Sequence, residues 1–258
     1  MSPPTTTPLL TLYSGDRRPN QTHSLSMFST KLQLRLRHAG VSYTTAFATR
    51  NDGPRQKLPF IKLAGTDELL GDTALITKHL VAAGHLPDVN EVLAEEKRAV
   101  GYCVTAMVED RFNYLVAYER WFEHADGMRE SVFGFLPWGV RHVVGYGALQ
   151  YARAMMYFQG TGRFSAEEVG GFMEEAVGVL GALAGAARGE GEGKGGVFWI
   201  LGGEGPSEAD FAVFGGLSAL LVRPGQPKVT AMIRGDSALM EYMEGINKVY
   251  FPDFEDWP

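Results

Sequence analysis

The sequence contains a single cysteine, Cys103, among its 258 residues. One thiol cannot form a disulfide within the chain, and it excludes a metal site built from several cysteines. Low cysteine use is compatible with a reducing compartment, so we predict a cytoplasmic protein.

A targeting segment and long apolar runs are also missing. The first eight residues lack a basic region followed by an apolar core, so the sequence predicts no secretory signal. No window approaches roughly 18 uninterrupted apolar residues, and we therefore expect no membrane span.

Net positive charge is absent as well. The formal net charge is −6, which argues against general nucleic-acid binding. Residues 14–62 nevertheless hold nine Lys or Arg and two Asp, so this segment carries +7 and the rest of the chain −13. Two interpretations stay open: the cations cover solvated helix faces, or they form an N-terminal domain that attracts a small anionic ligand.

The length and the order of the elements predict two domains, 1–86 and 87–258. The first shows a β-α-β, loop, β-β-α order, with strands at 9–13, 41–48, 58–63 and 68–70. Its first helix begins after Ser24 or Ser26, and its second after Asp72 or Thr73. We expect Leu75, Ile76, Leu80 and Ala83 to form the apolar face of that second helix.

The second domain reads as helical almost throughout. Residues 189–196 are rich in glycine and predict a mobile surface loop. The periodic apolar positions predict helices at 89–123, 126–134, 139–158, 165–188, 207–222 and 236–248.

A sharp helix start lies at Pro206-Ser207, with Asp210 three residues after Ser207. This spacing predicts a capping box, in which the Asp210 carboxylate satisfies the Ser207 amide. The helix that follows is apolar on nearly every side and should be buried. We interpret the motif as structural, and we expect loss of Ser207 to cost roughly 1–2 kcal/mol.

Three further motifs allow a structural and a functional interpretation. Pro59 enters a strand, either as an ordinary turn or as a cis-proline that turns the Leu58 backbone toward a ligand. Thr73, after Gly71-Asp72, begins a helix, either as a plain cap or as a carboxylate site. Ser26 begins the first helix, where a cap or a group that holds a thiolate belongs.

Taken together, these residues resemble the glutathione transferase superfamily, and most closely its failed-axon-connections (Fax) and metaxin-like branch. The resemblance implies a thioredoxin-like N-terminal domain followed by an all-helical C-terminal domain, over nearly the whole chain. The motifs that carry it lie at 24–31, 36–43, 57–61, 71–76, 206–215 and 250–253.

The resemblance also implies a glutathione site on residues 1–86. Pro59 would be the cis-proline, and Leu58 would pair through its backbone with the cysteinyl part of glutathione. Asp72 and Thr73 would hold the γ-glutamyl end. The glycyl carboxylate would be bound by Lys57 or Arg55.

The sequence departs from the disulfide-exchange members of that superfamily. Ser26 and Ser29 occupy the positions of the two cysteines in a Cys-Pro-Phe-Cys pattern, and Met27 replaces the proline. We therefore reject a glutaredoxin-like oxidoreductase. A hydroxyl can still stabilise a thiolate, and we favour Ser26, then Ser24, with Tyr13 as a third candidate that is more typical of a strand core.

The second substrate is expected between the domains, against aromatic side chains that helical spacing more often places in a core: Phe112, Tyr114, Tyr118 and Trp138. The leading hypothesis is an enzyme that activates glutathione for addition to an apolar electrophile. The outcome is either conjugation or reversible addition that isomerises a double bond. The rival is a non-catalytic binding module of the Fax and metaxin type. Relatives often dimerise, so a homodimer is a further possibility.

Overall fold

The computed structural model describes residues 7–17, 21–190, 196–222 and 227–257. Its N-terminal part is a four-stranded sheet of order β2-β1-β3-β4. β1 pairs in parallel with β2 and antiparallel with β3, and β3 pairs antiparallel with β4. The strands are β1 (Leu10–Ser14), β2 (Tyr43–Phe47), β3 (Phe60–Leu63) and β4 (Leu69–Gly71).

Two helices belong to this sheet. α1 (Met27–His38) connects β1 to β2, and α2 (Thr73–Ala82) follows β4. Gly40, at φ +67°, and Gly84, at φ +73°, lie just past the two helix ends, where the left-handed conformation favours glycine. The predicted thioredoxin-like order is therefore confirmed.

Most of the remaining described chain is helical. α3 and α4 are joined by a π-helical segment, Met107–Phe112, and a second one, Glu119–Glu123, follows α4, so helix runs on without a break from Glu95 to Glu123. The helices are α3 (Glu95–Ala106), α4 (Asn113–Tyr118), α5 (Ala125–Phe133), α6 (Trp138–Gln159), α7 (Ala166–Glu190), α8 (Glu208–Leu221), α9 (Pro227–Gly235) and α10 (Ser237–Tyr250).

Several boundaries differ from the predicted ones. The helix expected from residue 89 begins at Glu95, and the sequence analysis did not predict α9. The signal for α9 was present, because Val229 and Ile233 are four residues apart and both are buried. The loop predicted at 189–196 falls mostly outside the described residues.

One apolar face was also predicted incorrectly. Ile76 and Leu80 of α2 are fully buried, but Leu75 is 46% exposed and Ala83 lies on the surface. The face that α2 turns to the sheet is narrower than the apolar pattern suggested, because only one side of this helix meets other elements.

α8 is the central helix of the C-terminal part, and all its residues except the first are buried. The capping box predicted at its start is present: the amide and the hydroxyl of Ser207 both donate to Asp210 Oδ2, each at 2.7 Å. The other carboxylate oxygen, Oδ1, accepts from the Ile200 amide at 2.6 Å and from the Tyr242 hydroxyl at 3.0 Å. Asp210 thus ties three segments together.

α1 lies between the two hydrophobic clusters of the molecule. Leu32 and Leu36 pack with the sheet and α2, whereas Met27 and Leu34 belong to the helical cluster. Its contact with α8 is close: a Cβ added to Gly215 would lie 2.5 Å from the Met27 carbonyl oxygen. Only glycine allows the two backbones to approach this far.

The basic segment, residues 14–62, has a structural role that the two interpretations of its charge did not include. Lys31 forms an ion pair with Glu109 at 2.5 Å, Arg35 with Glu208 at 2.8 Å, and Arg37 binds Asp253 through both guanidinium ends. Part of the N-terminal positive charge therefore holds the acidic helical part in place. All three cations are engaged by carboxylates within the protein, and Arg37 keeps a partly exposed side chain.

The sequence analysis predicted no membrane span, and the apolar character of α7 has to be compared with that prediction. By length and hydropathy, Ala166–Gly189 is apolar enough to cross one, and 39% of its most apolar window is buried. Core helices of soluble proteins pass the same test, so a single helix of this kind is weak evidence for a span.

Candidate functional site

The strand pairing places the predicted site residues at one end of the sheet, where β1 and β4 end and β3 begins. Tyr13, near the end of β1, pairs with Phe60 at the start of β3, and Phe60 pairs with Gly71 at the end of β4. Because β1 and β2 are parallel, the connecting helix α1 must run in the opposite direction to them, and it begins at the end of the sheet where β1 ends. Pro59, Asp72 and the start of α1 therefore lie at the same end of the sheet.

The approach to β3 agrees with the sequence analysis. The Leu58–Pro59 peptide bond is cis, Pro59 is buried and Leu58 is half-buried. The preceding loop is compact: a Cβ on Gly53 would lie 2.6 Å from the Phe60 ring and 2.7 Å from the Lys57 carbonyl oxygen. Glycine is required at this position.

Charged groups gather beside this loop. Arg55 and Gln56 both have positive φ, at 59° and 52°, and the Arg55 guanidinium donates to the Gly71 carbonyl at 3.2 Å. Lys57 Nζ lies 3.7 Å from Asp72 Oδ2, and the lysine side chain remains mostly exposed. The side chains of Arg55, Lys57 and Asp72 therefore place two cations and one carboxylate at this end of the sheet.

The start of α2 contributes the carboxylate. Asp72 has φ +76° and caps the helix by accepting from the amides of Ala74 and Leu75 at 3.2 and 3.3 Å. Thr73, the first helical residue, is buried. The two residues are placed as expected, although part of the Asp72 carboxylate is already used by its own helix.

Two serines at the start of α1 have different surroundings. The Ser24 hydroxyl accepts from the Ser26 amide at 2.9 Å, and the Ser24 amide donates to Thr30 Oγ1 at 3.3 Å. Ser24 is buried and holds the entry loop. Ser26 is half-buried, and its hydroxyl makes no hydrogen bond within the described part of the chain.

The first turn of α1 also offers backbone donors. Ser29 and Thr30 direct their amides to the Ser26 carbonyl, but the amides of Met27 and Phe28 find no backbone acceptor among residues 7–17, 21–190, 196–222 and 227–257. A helix start with unpaired amides favours negative charge. Ser26 therefore combines a free hydroxyl with an electropositive surrounding.

Arg120 holds the entry to α1 from the helical part. Its guanidinium donates to the Leu25 carbonyl at 3.0 Å and to the Ala219 carbonyl, in α8, at 2.7 Å. Burial lowers the pKa of Arg120 to about 10, so it stays charged at neutral pH. The sequence analysis did not identify this residue, because nothing local marks an arginine that bridges two distant carbonyls.

Comparison with known proteins finds one matching family and several similar structures. Residues 27–126 match the family described as "Glutathione S-transferase N-terminal domain". The β-etherase LigF from Sphingobium sp. strain SYK-6 is 18% identical, with a TM-score of 0.59 over 93% of this chain and 95% of LigF. The chain has the glutathione S-transferase fold.

Other solved structures agree. Glutathione transferase GSTFuA2 from Phanerochaete chrysosporium is 14% identical, with a TM-score of 0.61 over 95% of this chain and 99% of its own. Glutathione transferase F7 from Populus trichocarpa is 13% identical, with a TM-score of 0.53 over 93% of each chain. These matches show the fold alone, so membership of the glutathione S-transferase superfamily stays a prediction, as does the Fax and metaxin-like branch.

The aromatic residues predicted to meet a second substrate differ in their exposure. Phe112 is 1% exposed and lies in the helical core, and Tyr118 is buried, stacked on Phe122 with its hydroxyl directed to the Phe164 carbonyl at 3.2 Å. Both positions are corrected to core residues, since helical spacing alone cannot distinguish a core from a cleft. Tyr114 is half-buried and Trp138 is exposed.

Tyr13 is also packed rather than free. Its ring stacks on Phe60, with centroids 4.7 Å apart and planes 8° apart. This contact accounts for the residue as part of the sheet, and Ser26 remains the candidate with an unpaired hydroxyl.

A cleft between the two halves of this fold involves a residue that the sequence analysis missed. Tyr151 of α6 accepts a hydrogen bond from Arg50 at 2.9 Å. Together with the loop after β2 it borders a space of about 400 Å³, lined by Thr49, Arg50, Asn51, Gln56 and Tyr151. A tyrosine about 100 residues from its partner in sequence carries no local signal of such a contact.

His23, three residues before Ser26, is buried in an aromatic cage. Its Nε2 lies 2.7 Å from Asn247 Oδ1, and the rings of Phe251, Phe254 and Trp257 surround it within 5.2 Å. Burial lowers the pKa of His23 to about 4, against an ordinary value of 6.5. The entry to α1 therefore rests on an uncharged histidine.

This burial predicts acid sensitivity. The unfolded chain binds a proton at His23 near pH 6.5 and the folded chain only near pH 4, so the contribution of His23 to stability is full above pH 6.5 and is lost as the pH drops toward 4. The loss should reach up to about 3 kcal/mol. Urea unfolding of the wild type and of His23→Phe at several pH values measures it, and the variant should show the smaller loss.

Comparing the wild type with His23→Phe separates the contribution of His23 to stability from that of Glu119, which has the opposite pH dependence. Burial raises the pKa of Glu119 to about 7, which lowers stability as the pH rises through the same range. Both proteins contain Glu119, so its contribution cancels in the difference. Equal pH slopes in the wild type and the variant would refute the assignment.

Proposed function

We propose that this protein is a glutathione-dependent enzyme that activates the glutathione thiol for addition to an apolar, electrophilic small molecule. The observation that carries the proposal is the start of α1, where an unpaired Ser26 hydroxyl lies beside two unpaired amides. The division into a glutathione-binding part, 1–86, and a helical part, 87–258, belongs to the same proposal.

The charged groups at this end of the sheet are complementary to those at the two ends of glutathione. Glutathione has a carboxylate at its glycyl end, and Lys57 or Arg55 would bind it. Its γ-glutamyl end has an ammonium group and a carboxylate, which fit the Asp72 carboxylate and the Thr73 hydroxyl at the start of α2. The Leu58 backbone would pair with the cysteinyl part.

Ser26 would donate a hydrogen bond to the sulfur. A hydrogen bond to a charged group contributes about 1.5–3 kcal/mol, and a helix start about 0.3–1 kcal/mol. Together they lower a thiol pKa by roughly one to three units from about 8.5, which populates the thiolate at neutral pH. The cleft beside Tyr151 is the candidate surface for the electrophile, and Tyr114 and Trp138 stay predicted contacts.

Two reactions use the same thiolate, namely conjugation and double-bond isomerisation. The names of the similar structures include both transferases and a β-etherase, so the fold by itself does not select a reaction. Product analysis with labelled glutathione separates the two: label retained in the product indicates transfer, and an unlabelled isomer indicates isomerisation.

Ser26→Ala tests the role of the hydroxyl. We expect kcat/KM with a general electrophile to fall by about 10- to 100-fold, because the lost hydrogen bond contributes about 1.5–3 kcal/mol. The pKa of the bound thiol, followed by its ultraviolet absorbance, should rise. The melting temperature should change little, because the hydroxyl has no partner in the described protein.

Ser24→Ala is the control. Its hydroxyl holds the Ser26 amide, so this variant should lower stability and leave the bound thiol pKa close to the wild-type value. A larger effect of Ser24→Ala on that pKa would transfer the role to Ser24. A calorimetric titration without glutathione binding at millimolar concentration would reject the enzyme and favour a binding module of the Fax and metaxin type.

A further inference from the structure

A cavity of about 540 Å³ lies among the 119–123 segment, α7 and α9. It does not include Ser26, Pro59 or Asp72, so it is distinct from the candidate glutathione site. Its charged lining residues are four glutamates and one lysine: Glu119, Glu123, Glu167, Glu174 and Lys228. With all five ionised, the lining carries a formal charge of −3, which attracts a cation.

Glu119 is the carboxylate that its surroundings leave unpaired. Its side chain is 1% exposed, and within the described residues neither carboxylate oxygen has a hydrogen-bond partner. Burial, together with the charge of Glu123, raises the pKa of this carboxyl to about 7. Lys228 opposes that shift through its charge and its amide, but the amide does not reach hydrogen-bond geometry. Because a buried carboxylate without a partner is costly, a cation beside it would be strongly stabilised.

The nearby cationic side chains do not provide that partner. Arg120 donates to two backbone carbonyls on the entry to α1 and on α8. Lys228 Nζ lies 3.2 Å from Glu123 Oε2, and its side chain is 61% exposed. His124 Nε2 lies 3.9 Å from Glu119 Oε1, which is beyond hydrogen-bond distance. The position beside Glu119 therefore suits a cation from outside the chain.

The backbone of the 119–123 segment agrees with a binding role. The segment is π-helical, and the His124 amide donates to the Glu119 carbonyl, five residues earlier, at 3.0 Å. Wide helical turns of this kind are frequent at functional sites. The turn brings both of its glutamates, Glu119 and Glu123, to the cavity.

The chemistry of the cavity favours an ammonium group over a metal ion. Among residues 7–17, 21–190, 196–222 and 227–257, no group of three or more His, Cys, Asp and Glu is arranged to hold a metal ion. An ammonium group donates up to three hydrogen bonds without a fixed coordination geometry, and its bonds to carboxylates are strong. Met173 and Met232 provide adaptable apolar surface in the same cavity, which suits a methylene chain.

We propose that this cavity binds a small aliphatic amine, with its ammonium group on the Glu119 carboxylate and its methylene chain against Met173 and Met232. The exposed carboxylates of Glu167 and Glu174 on α7 would receive the second ammonium group of a diamine. This inference is independent of the proposed glutathione chemistry, because the two sites share no residue.

Isothermal titration calorimetry with putrescine, a four-carbon diamine, tests the proposal. The full chain should bind putrescine, and butanediol, the neutral analogue of the same length, should not bind. Glu119→Gln keeps the shape of the side chain and should weaken putrescine binding at least tenfold, because it removes the charge that pairs with the ammonium group. Its melting temperature should not fall, since the wild-type carboxylate has no hydrogen-bond partner within the described residues.

Gly170→Leu narrows the cavity without changing its charge. Gly170 is a half-buried residue of α7 that lines the cavity, and nothing in the described part of the chain lies within 4 Å of a Cβ there. This variant should also weaken putrescine binding at least tenfold. Gly185→Leu is the matched control, because Gly185 is half-buried in the same helix, has equally open space around a Cβ and does not line the cavity. It should leave binding unchanged.

The proposal is overturned if the folded wild type binds neither putrescine nor butylamine, or if Glu119→Gln binds putrescine as tightly as the wild type does. Equal losses of affinity in Gly170→Leu and Gly185→Leu would also contradict it. Binding of Mg²⁺ or Ca²⁺ that Glu119→Gln abolishes, without amine binding, would replace it with a metal site. A fall in the melting temperature of Glu119→Gln, again without amine binding by the wild type, would make Glu119 a structural cap of α9.

Discussion

Replacing Asp210 with alanine should lower the free energy of unfolding by about 3–5 kcal/mol, because it removes the acceptor of several buried donors at once. Its carboxylate is fully buried and accepts from the Ile200 amide, both donors of Ser207 and the Tyr242 hydroxyl. Burial raises the pKa of Asp210, and these hydrogen bonds oppose the shift.

Denaturant unfolding measures this loss, and Asp236→Ala provides the comparison. Asp236 caps α10 by accepting from the amides of Ala238 and Leu239 at 2.9 and 3.0 Å, but it is only half-buried. Losing this cap should cost about 1 kcal/mol. If Asp210→Ala costs no more than Asp236→Ala, the carboxylate does not have the role assigned to it. Asp210→Asn provides a milder variant if the alanine protein fails to fold.

The second large effect is expected at Gly215, where α1 and α8 touch. A Cβ at this position would lie 2.5 Å from the Met27 carbonyl oxygen and 3.0 Å from the Lys31 amide nitrogen. Both atoms belong to the backbone, so a rotamer change cannot relieve the contact and α1 must move. Gly215→Ala should destabilise the protein by about 1–3 kcal/mol.

The same substitution should impair the proposed site, because Met27 forms the first turn of α1 next to Ser26. Glutathione affinity should fall together with stability. Gly178→Ala in α7 is the control: nothing lies within 4 Å of a Cβ there, and the residue is exposed. Alanine in a helix interior should stabilise by up to about 1 kcal/mol. Opposite signs are therefore expected, and equal effects would refute the close contact.

Some features were readable from short stretches of sequence. The capping box at Ser207 and Asp210 was predicted because both partners lie within one helical turn. The same holds for the start of α2, which was predicted after Asp72 or Thr73 and which Asp72 caps in the structure. In each case the physical cause is contained in a few neighbouring residues.

Other features depend on distant partners. The sequence analysis favoured Ser26 over Ser24, and the structure adds a physical reason, since among the described residues the Ser24 hydroxyl has a hydrogen-bond partner and the Ser26 hydroxyl has none. The aromatic spacing that suggested a substrate surface at Phe112 and Tyr118 describes the core equally well. Which face of a helix meets another helix is decided by tertiary packing.

By itself, the sequence determined the order of the elements and the positions of several helix caps, because periodicity and capping act over a few residues, and the thioredoxin-like arrangement followed by helices was what its family resemblance implied. Only the tertiary structure decided that Lys31, Arg35 and Arg37 bind the helical part, that Arg120 secures the entry to α1 and that Tyr151 of α6 meets Arg50. Such contacts join residues far apart in the chain, and their energies depend on burial that no local pattern records.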